Sequence, residues 1–497
     1  MSDLYINGEW VEGDGEKFES SNPHNEEVLF ETKKASKTQV REAVQAANEA
    51  EDKWQEKSKV ERAEYLWDIY YEIKENYEEL GEIVSKECGK EISEGKADAT
   101  EAYHMVEFAA GLGRHPDGEA IPSEISSKDS YMMRKPVGTI GCITPWNFPI
   151  AIPVWHIAIP LVYGNTIVFK PSEETPFCGK KVAELFSELP DGVFNLVQGS
   201  GEVVGNSLVG HDGINVVQFT GSANVGWNIN EKVSGDYNKS AACEMGGKNA
   251  ILVTDKADME IALNSAIMSS YKTTGQRCVS SERLIVHEDI YDEFKKKFVE
   301  LSKQINIGNP LEDDTFMGPL INEAQVKKFN HYNKLVQSDN EAKVLLNMAD
   351  LDRDSGHYVG PFVYEVEWLP EKKFLSEEVF GPHIALIKYS GDVENGIEIN
   401  NDVEYGLAGA VITEDYRQMN KYRDKAELGL SYANLPSIGA EVQLPFGGIK
   451  KSGNGKPSAR GIIEFCTERT AWTVNNSKDI ELAQGLSSDI KLEEDEN

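Results

Sequence analysis

Three side chains of the kinds that acyl chemistry needs are spread along the middle of the chain. Cys278 ends the run "GQRC", Glu244 stands before two glycines in "ACEMGGKNA", and Asn147 lies between an aromatic residue and a Phe-Pro turn in "TPWNFP". A thiolate can attack a carbonyl, a carboxylate can act as general base, and a side-chain amide can donate to an oxyanion. Together the three residue types satisfy the requirements for covalent acyl chemistry.

Each of these residues also has a structural explanation when it is taken alone. A free cysteine is among the side chains most often buried, so Cys278 can be a small apolar core residue. Glu244 can be a surface or capping carboxylate, and Asn147 can be a turn former. Gly275 and Arg277 beside the thiol can provide the backbone N–H groups and the positive charge that lower a thiol pKa. The same neighbours can also surround a structural cysteine, so alone they do not show that Cys278 is a nucleophile.

A second group of residues follows predicted strands. Lys170 and Glu173 stand in "VFKPSEETP", at the edge where open α/β sheets bind ligands, so Lys170 can reach a ribose or phosphate and Glu173 can accept from ribose hydroxyls. A carboxylate there repels a 2′-phosphate, which favours NAD over NADP. The glycine-containing stretches 199–205 and 219–226 can bring backbone N–H groups close to a pyrophosphate. Neither matches G-x-G-x-x-G, so their spacing alone favours ordinary turns.

The spacing of apolar residues along the chain predicts the helices and strands that position these groups. Residues 37–110 show helical spacing behind a possible Ser36 cap, which predicts an α-rich opening. From about residue 138, short apolar runs such as "GTIGCI" and "NTIVFK" alternate with helical segments, which predicts βαβ units and an open parallel sheet. A second such series, from "NAILVT" to "GLAGAVIT", predicts a second α/β domain. The charged stretch 338–357 reads as a surface loop.

Composition limits the class of protein. A chain of 497 residues is too long for one core, so two or three domains are expected. The 84 acidic and 50 basic residues give a net charge of −34, which repels nucleic acid and anionic membranes. That charge fits either adaptation to a salty cytoplasm or an ordinary acidic protein. The six cysteines are scattered without a metal-binding pattern, and no apolar stretch is long enough to span a bilayer, so we expect a cytoplasmic protein with free thiols and no metal.

The motifs taken together identify the chain as similar to the aldehyde dehydrogenase superfamily. They occur in the family's order along nearly the whole sequence: "PWNFP", "KPSEETP", "FTGS", "EMGGKN", "GQRC", "EEVFGP" and "PFGGIKKSGNG". The resemblance implies that Cys278 is the nucleophile, Glu244 the general base, and Asn147 with the backbone N–H of Cys278 the oxyanion donors. The positions that match the family's cofactor contacts are Thr144, Pro145, Trp146, Lys170, Ser172, Glu173, Gly201, Gly205, Phe219, Gly221, Ser222, Met245, Glu378 and Phe380.

The resemblance also implies an α/β architecture of three parts. It places a Rossmann-like, NAD-binding domain with an open parallel sheet in residues 1–117 and 137–246, and a second α/β, catalytic domain in 247–450. A small β-flap for oligomerisation would come from 118–136 and 462–480, followed by an acidic tail at 481–497. Because this flap pairs subunits in the family, the resemblance implies a homodimer or homotetramer.

The implied activity is NAD(P)-dependent oxidation of an aldehyde to a carboxylic acid, through a thiohemiacetal and a thioester on Cys278. Glu244 favours hydrolysis over transfer to coenzyme A, because relatives that form acyl-CoA usually lack this carboxylate. Arg277 can pair with a substrate carboxylate, which favours a semialdehyde, or it can form a structural ion pair. Phe148 and Phe446 are the other candidate substrate contacts.

The branch of the family is suggested by "PWNFPIAIP", "LPSIGAEVQLPFGG" and "KKSGNG", which look most like dehydrogenases of 2-oxoglutarate semialdehyde. Succinate semialdehyde, aminoadipate semialdehyde and a general aliphatic aldehyde are the alternative substrates. A function of a different class, a non-catalytic binding protein on the same fold, is argued against by the joint presence of Cys278, Glu244 and Asn147, since packing alone requires none of them.

Overall fold

The alternating apolar runs and helical segments form two large sheets flanked by helices. The computed structural model describes residues 2–351, 353 and 355–486. In chain order its strands are β1 Leu4–Ile6, β2 Glu9–Val11, β3 Lys17–Ser21, β4 Val28–Lys33, β5 Glu119–Ile121, β6 Lys128–Pro136, β7 Thr139–Ile143, β8 Thr166–Lys170, β9 Phe194–Leu196, β10 Val216–Gly221, β11 Ser240–Met245, β12 Asn249–Val253, β13 Ser281–His287, β14 Lys343–Asn347, β15 Phe362–Glu365, β16 His383–Tyr389, β17 Tyr405–Gly406, β18 Ala408–Ile412, β19 Leu430–Ala433, β20 Pro445–Phe446, β21 Ile449–Lys450, β22 Ser458–Ala459 and β23 Thr467–Asn475.

The helices begin with the four that open the chain. In chain order they are α1 Lys37–Glu56, α2 Lys59–Glu75, α3 Tyr77–Cys88, α4 Ile92–Leu112, α5 Ala151–Val162, α6 Pro176–Phe186, α7 Asn206–Val209, α8 Ala223–Val233, α9 Met259–Tyr271, α10 Glu288–Lys303, α11 Glu323–Gln337, α12 Lys373–Ser376, α13 Val393–Asn401, α14 Tyr416–Lys425 and α15 Ile463–Cys466. Ser36 caps α1 in a reciprocal pair of hydrogen bonds with Gln39. The predicted α-rich opening and its cap are therefore confirmed.

The first large sheet has the order β11-β10-β7-β8-β9-β1-β2. Strands β11 to β9 in this order are parallel, as predicted, and the buried apolar runs of β7 and β8 lie at its centre. The edge differs from a purely parallel sheet because β1 and β2 form a tight antiparallel hairpin through Asn7 and Gly8, both in the left-handed region. The strand order reverses between β7 and β10, which places a ligand crevice at the carboxyl ends of these two strands.

The second large sheet has the order β14-β15-β16-β13-β12-β18-β19. Its strands are parallel except for the antiparallel edge strand β14. The predicted surface loop at 338–357 is therefore wrong in part, because Val344, Leu345 and Leu346 within it pack on the core of this sheet as part of β14. The charges on either side of these residues hid a short apolar strand.

A third, smaller sheet has the order β23-β6-β5 and is antiparallel throughout. It unites the two segments that the sequence assigned to a flap. Tyr131 and Trp472 are cross-strand partners in it, and both, with Met133, are exposed apolar side chains on the described chain. This sheet therefore presents an uncovered apolar surface away from the two domain cores.

The remaining expectations concern cysteines, membranes and the tail. All six cysteines are free thiols, and Cys278 is the partly exposed one while the other five are buried. Among the described helices, none combines the length and apolar character that a membrane span requires. Of the predicted acidic tail, residues 487–497 lie outside the described residues.

Candidate active site

Most of the predicted site residues gather where parallel strands of the first sheet end, beside loops that join elements of the second sheet. A cavity of about 270 Å³ opens there. Of the predicted residues, it is lined by Pro145, Trp146, Asn147, Phe148, Gly221, Ser222, Glu244, Met245, Arg277, Cys278, Glu378, Phe380 and Phe446. Strands β7, β10 and β11 end at Ile143, Gly221 and Met245, so their common direction brings together residues that are far apart in sequence.

The turn before Cys278 has an unusual backbone. Thr273 and Thr274 have φ angles of 55° and 56°, in the left-handed region that β-branched residues rarely adopt. Such residues cost about 1–3 kcal/mol each and persist where the surroundings fix them. Here the Glu94 carboxylate accepts hydrogen bonds from the Thr273 backbone N–H at 2.9 Å and from its hydroxyl at 2.6 Å. The turn is therefore fixed from a helix of the other domain, α4.

Gly275 in the same turn packs on the backbone of a second loop. Its φ is 72°, and a Cβ built there would lie 2.6 Å from the carbonyl carbon of Gly381. No other residue type fits without moving one of the two loops. Close backbone contact therefore fixes the Cys278 loop against the loop that carries Glu378 and Phe380.

Side-chain amides hold Cys278 on both sides. Asn249 donates to the Cys278 carbonyl at 2.7 Å, and Asn147 donates to the Gln276 carbonyl at 3.0 Å. The Asn147 amide carries a second N–H, which this hydrogen bond does not use. The predicted nucleophile and the predicted oxyanion donor are thus neighbours in the cavity wall, which is the arrangement that stabilisation of a tetrahedral adduct requires.

Glu244, the second-last residue of β11, lies on the same cavity. Its side chain is buried, and neither carboxylate oxygen has a hydrogen-bond partner of ordinary geometry among the described residues. The hairpin that follows Phe446 closes over it: a Cβ at Gly447 would lie 2.5 Å from Glu244 Oε1. A carboxyl group without partners beside a cavity is available to exchange a proton with a bound water or substrate.

Three of the acidic groups that line this cavity, Glu244, Glu378 and Cys278, have a raised pKa. Burial is the main cause for all three; it raises the pKa of Glu244 well above its usual range and that of Glu378 to about 7. The Cys278 thiol pKa is raised by burial and then by the negative charges of Glu244 and Glu378, with Arg277 acting in the opposite direction. Since one ionised group disfavours ionisation of the others, Cys278 is a thiol in this state at neutral pH.

A polar cluster lies further along the same sheet edge, at the ends of β8 and β9. The buried Lys170 ammonium is 3.6 Å from the Glu173 carboxylate, which also accepts from the Gly201 backbone N–H at 3.1 Å. A Cβ at Gly205 would meet the Lys170 side chain in ordinary contact at 3.8 Å. An ammonium and a carboxylate on one edge supply a donor and an acceptor for ribose hydroxyls, as the implied dinucleotide needs.

Other predicted cofactor residues support this edge. The Thr144 backbone N–H donates to the Lys170 carbonyl at 3.2 Å, and the Ser172 hydroxyl accepts from the Glu174 N–H at 3.2 Å. Thr144 Oγ1 is buried without a partner among the described residues. The loops after β7 and β8 are thus linked by their backbones, and one buried hydroxyl stays available to a ligand.

The start of α8 offers a place for a phosphate. Ser222 is the N-cap residue, but its side chain makes no capping hydrogen bond, so the hydroxyl and the first helical N–H groups remain available. A Cβ at Gly221 would lie 2.5 Å from the Phe219 ring, and one at Gly226 would collide with the Met245 sulfur. These glycines allow the helix start to lie close to the cavity. The donor set therefore fits the pyrophosphate of a dinucleotide.

Glu282 and Lys248, which were not among the predicted site residues, hold the loop with Glu378 and Phe380. The Glu282 carboxylate accepts from the N–H groups of Val379, at 2.9 Å, and Phe380, at 2.8 Å, and it forms a buried ion pair with Lys248. Phe380 has a φ of 64°, and its ring meets Trp146 edge-on with centroids 5.7 Å apart. A signal for this pair was present in the sequence. Lys248 stands directly before a buried strand, in "GGKNA", and Glu282 stands within one, in "SSERLIV".

Arg277 already has a partner. Its guanidinium forms an ion pair with Glu94, donates to the Thr273 hydroxyl at 2.9 Å, and lies 5.1 Å from the centroid of the Phe148 ring. Burial raises the pKa of Glu94, but Arg277 and the other donors around it outweigh burial and lower that pKa. The structural ion pair is thus the observed contact, although the same side chain lines the cavity. Phe446 packs edge-on against Trp155, with centroids 5.4 Å apart.

Comparison with known proteins identifies the family of the chain. The model of the aldehyde dehydrogenase family matches residues 10–472. The chain belongs to the aldehyde dehydrogenase family. It is 38% identical over 457 residues to alpha-ketoglutaric semialdehyde dehydrogenase of Bacillus subtilis, a match covering 90% of this chain and 92% of that protein.

A second relative and a solved structure extend the comparison. The chain is 35% identical to alpha-ketoglutarate semialdehyde dehydrogenase of Haloferax volcanii, over 94% of this chain and 98% of that protein. A crystal structure of betaine aldehyde dehydrogenase from Staphylococcus aureus in complex with NAD+ superposes with a TM-score of 0.92 at 31% identity, over 98% of this chain and 97% of that one. The fold predicted from the motifs, that of an aldehyde dehydrogenase, is therefore confirmed.

Two further residues of this aldehyde dehydrogenase line or flank the cavity and escaped sequence reasoning. Glu101 lines the cavity from the middle of α4, where an amphipathic helix gives no signal of a ligand. His156 is buried in α5, and its Nε2 lies 2.9 Å from the Thr220 hydroxyl. Burial lowers the pKa of His156 to about 3, so the ring is neutral and contributes a hydrogen bond and not a charge.

Proposed function

We propose that this enzyme oxidises a semialdehyde, with 2-oxoglutarate semialdehyde as the first candidate, to the free acid through a covalent bond to Cys278. The coarser activity, NAD(P)-dependent oxidation of an aldehyde, follows from family membership. The observation that carries the proposal is the meeting of Cys278, Glu244 and Asn147 at one cavity. The names of the Bacillus and Haloferax relatives support the semialdehyde.

The first step is attack of Cys278 sulfur on the aldehyde carbon. The proton of the partly exposed Cys278 thiol leaves to water in the cavity, so this step does not need Glu244. The carbonyl oxygen becomes an oxyanion, which accepts hydrogen bonds from the Asn147 amide and the Cys278 backbone N–H. A donor of this kind typically lowers the barrier by about 3–4 kcal/mol, because the interaction strengthens in the transition state.

The second half of the reaction releases the acid. When bound, NAD supplies the hydride acceptor that turns the adduct into a thioester. Glu244 then takes a proton from a water that attacks the thioester carbon, and the carbon–sulfur bond breaks to give the carboxylic acid and the Cys278 thiolate. The two partnerless oxygens of Glu244 are free to make these transient contacts. Hydrolysis is therefore favoured over transfer to coenzyme A.

The residues that would hold NAD lie at and directly after the end of β8, at the start of α8 and on the loop between α12 and β16. We assign Lys170 and Glu173 to a ribose, Ser222 and the first N–H groups of α8 to the pyrophosphate, and Glu378 to the second ribose. The Glu173 carboxylate disfavours a 2′-phosphate, which supports NAD as the cofactor, with NADP as the alternative. The NAD+ complex of the Staphylococcus relative supports the same choice.

We also propose self-association through the sheet of β5, β6 and β23, as a homodimer or a homotetramer. Its uncovered side chains Tyr131, Met133 and Trp472 support this assignment, because exposed apolar surface of this kind marks contact surfaces. Burial of the sheet against a second copy would cover it.

The proposal is tested by single-turnover and steady-state kinetics with 2-oxoglutarate semialdehyde and NAD. Cys278→Ala should abolish NADH formation, while Glu244→Gln should leave a burst of NADH and block turnover, because thioester hydrolysis needs the base. Cys466→Ala, which removes a thiol outside the cavity, is the matched control and should retain activity. Near-normal turnover of Cys278→Ala would show that the nucleophile is assigned wrongly.

The product and the substrate range separate the alternatives. Acyl-CoA in place of the free acid, when coenzyme A is present, would contradict the hydrolytic reaction. Equal kcat/KM for 2-oxoglutarate semialdehyde, succinate semialdehyde and a neutral aldehyde of equal length would indicate a general aldehyde dehydrogenase. Absence of NADH with every short aldehyde, at high and low salt and with folding shown, would favour a non-catalytic binding protein.

A further inference from the structure

Glu101 is an acidic residue that the reaction described above does not use. It lies in the middle of α4, and its side chain lines the same cavity as Arg277 and Cys278. Among the described residues it has no hydrogen bond or ion pair, unlike Glu94 and Asp98 of the same helix. A partly buried carboxyl group without a partner is available to a ligand.

The charges around Glu101 are otherwise balanced in pairs. Arg277 is paired with Glu94, and the fully buried Lys90 is paired with Asp98 at 3.0 Å. These two pairs contribute no net charge to the wall. The protonation state of Glu101 therefore decides whether this part of the cavity is neutral or negative.

Glu101 changes its charge close to physiological pH. Burial, followed by the neighbouring Asp98, raises the pKa of Glu101 to about 7, while Arg277 and Lys90 act in the opposite direction. Tyr432 of β19 faces the same group; burial, then Cys278 and Glu101, raise its pKa to about 12, so it stays neutral. Below pH 7 the Glu101 carboxyl is thus mainly a hydrogen-bond donor, and above pH 7 it is mainly an anion.

We propose that Glu101 is a specificity-determining residue: protonated, it donates a hydrogen bond to the carboxylate end of the semialdehyde, and ionised, it repels that end. This inference rests on the proposed function, in which the substrate is an anion. Arg277 in the same wall lies beside Phe148 and is paired with Glu94, which leaves Glu101 as the acid beside it without a partner among the described residues. Substrate preference therefore depends on pH through one side chain.

The test is the ratio of kcat/KM for 2-oxoglutarate semialdehyde to that for pentanal, measured from pH 6 to 8.5 at constant ionic strength. The ratio cancels the ionisations of the catalytic groups, since both aldehydes use them. If the anion binds the protonated form alone, the ratio falls about tenfold between pH 6 and pH 8. Glu101→Gln, which keeps a donor and cannot ionise, should give a ratio that does not change with pH.

Two further variants complete the test. Glu101→Ala should lower the ratio at pH 6 by roughly tenfold, because it removes a hydrogen bond to a charged group. Glu107→Gln, an exposed glutamate of the same helix, should show the wild-type profile.

Failure of the inference is distinguishable from failure of the proposed function. No preference for the anion over pentanal at pH 6 would refute the anionic substrate, and the assignment of Glu101 with it. A preference whose pH profile is identical in wild type and Glu101→Gln would refute the role of Glu101 alone. A preference for betaine aldehyde that rises with pH and is lost in Glu101→Gln would show that Glu101 binds cations instead.

Discussion

Replacement of Glu282 by glutamine should weaken the enzyme more than its distance from the proposed chemistry suggests. The glutamine keeps an oxygen for the Val379 and Phe380 N–H groups but removes the charge that faces Lys248. Both members of this ion pair are buried, with side-chain exposures of 0% for Lys248 and 4% for Glu282. Loss of one partner from a buried pair typically costs about 3–5 kcal/mol, because the other charge stays buried.

The stability lost in Glu282→Gln has an upper limit, and that limit depends on pH. Burial already lowers the pKa of Lys248 from its ordinary value of 10.5, and Glu282 partly offsets this. In Glu282→Gln the lysine can lose its proton, at about 1.4 kcal/mol for each pH unit below its ordinary pKa, or about 5 kcal/mol at pH 7. The unfolded variant then binds one proton more than the folded variant, so the free energy of unfolding of the variant rises with pH. Its difference from the free energy of unfolding of the wild type therefore shrinks by up to about 1.4 kcal/mol for each pH unit.

Urea unfolding followed by tryptophan fluorescence at pH 7 and pH 9 measures both effects. The matched control is Glu293→Gln, which breaks an exposed Glu–Lys pair with Lys297 and should cost less than about 0.5 kcal/mol at either pH. KM for NAD should rise more than KM for the aldehyde, because the loop with Glu378 and Phe380 loses its anchor. The reasoning would be refuted if Glu282→Gln lowered the free energy of unfolding by less than about 1 kcal/mol, or if the difference from wild type were equal at pH 7 and pH 9.

Two further predictions concern the cofactor and the small sheet. Glu173→Gln should raise the ratio of kcat/KM for NADP to that for NAD by about tenfold, since it removes a charge that repels a 2′-phosphate; an unchanged ratio would place the 2′-position elsewhere. Trp472→Glu puts a charge on the exposed face of β23 and should lower the mass measured by light scattering, whereas Tyr237→Glu, at a side chain 97% exposed elsewhere, should not. Equal masses would exclude this sheet as the contact surface.

The sequence predicted those parts of the site that depend on strand ends. Parallel strands place the residues at the ends of β7 and β10 at one edge, so the periodicity placed Asn147 and Gly221 there, whereas Glu244 in β11 was assigned from the motifs. The fold class followed from the same alternation. The nucleophile needed the motifs as well, because its loop comes from the second domain, and no local pattern shows which edge of the first sheet that loop meets.

Tertiary partners of charged residues could not be predicted. Arg277 was compatible with a substrate or with an ion pair, and its partner, Glu94, comes from a helix far away in sequence. With 84 acidic residues in the chain, composition offers many partners and selects none of them. The strand β14 was missed for a related reason, since the charges that flank Val344 to Leu346 dominate the local average although the apolar residues pack inward.

Around the cavity, two cations are held in ion pairs, whereas several acids of the described chain are not. The paired groups position loops, and the unpaired acids are available for proton transfer. The buried bases, Lys248 and Arg277, are held in ion pairs and fix the loops that carry the other groups. The acids Glu101, Glu244 and Glu378 have no ion pair among the described residues, and burial raises the pKa of each. Each of these cations is held in place by its carboxylate partner, whereas Glu101 and Glu378, whose pKa values are raised to about 7, exchange a proton near neutral pH. With the roles proposed above, carboxyl groups carry the acid–base chemistry and the substrate selection, so removing a carboxylate that pairs a buried cation should affect stability more than the pH profile of the reaction.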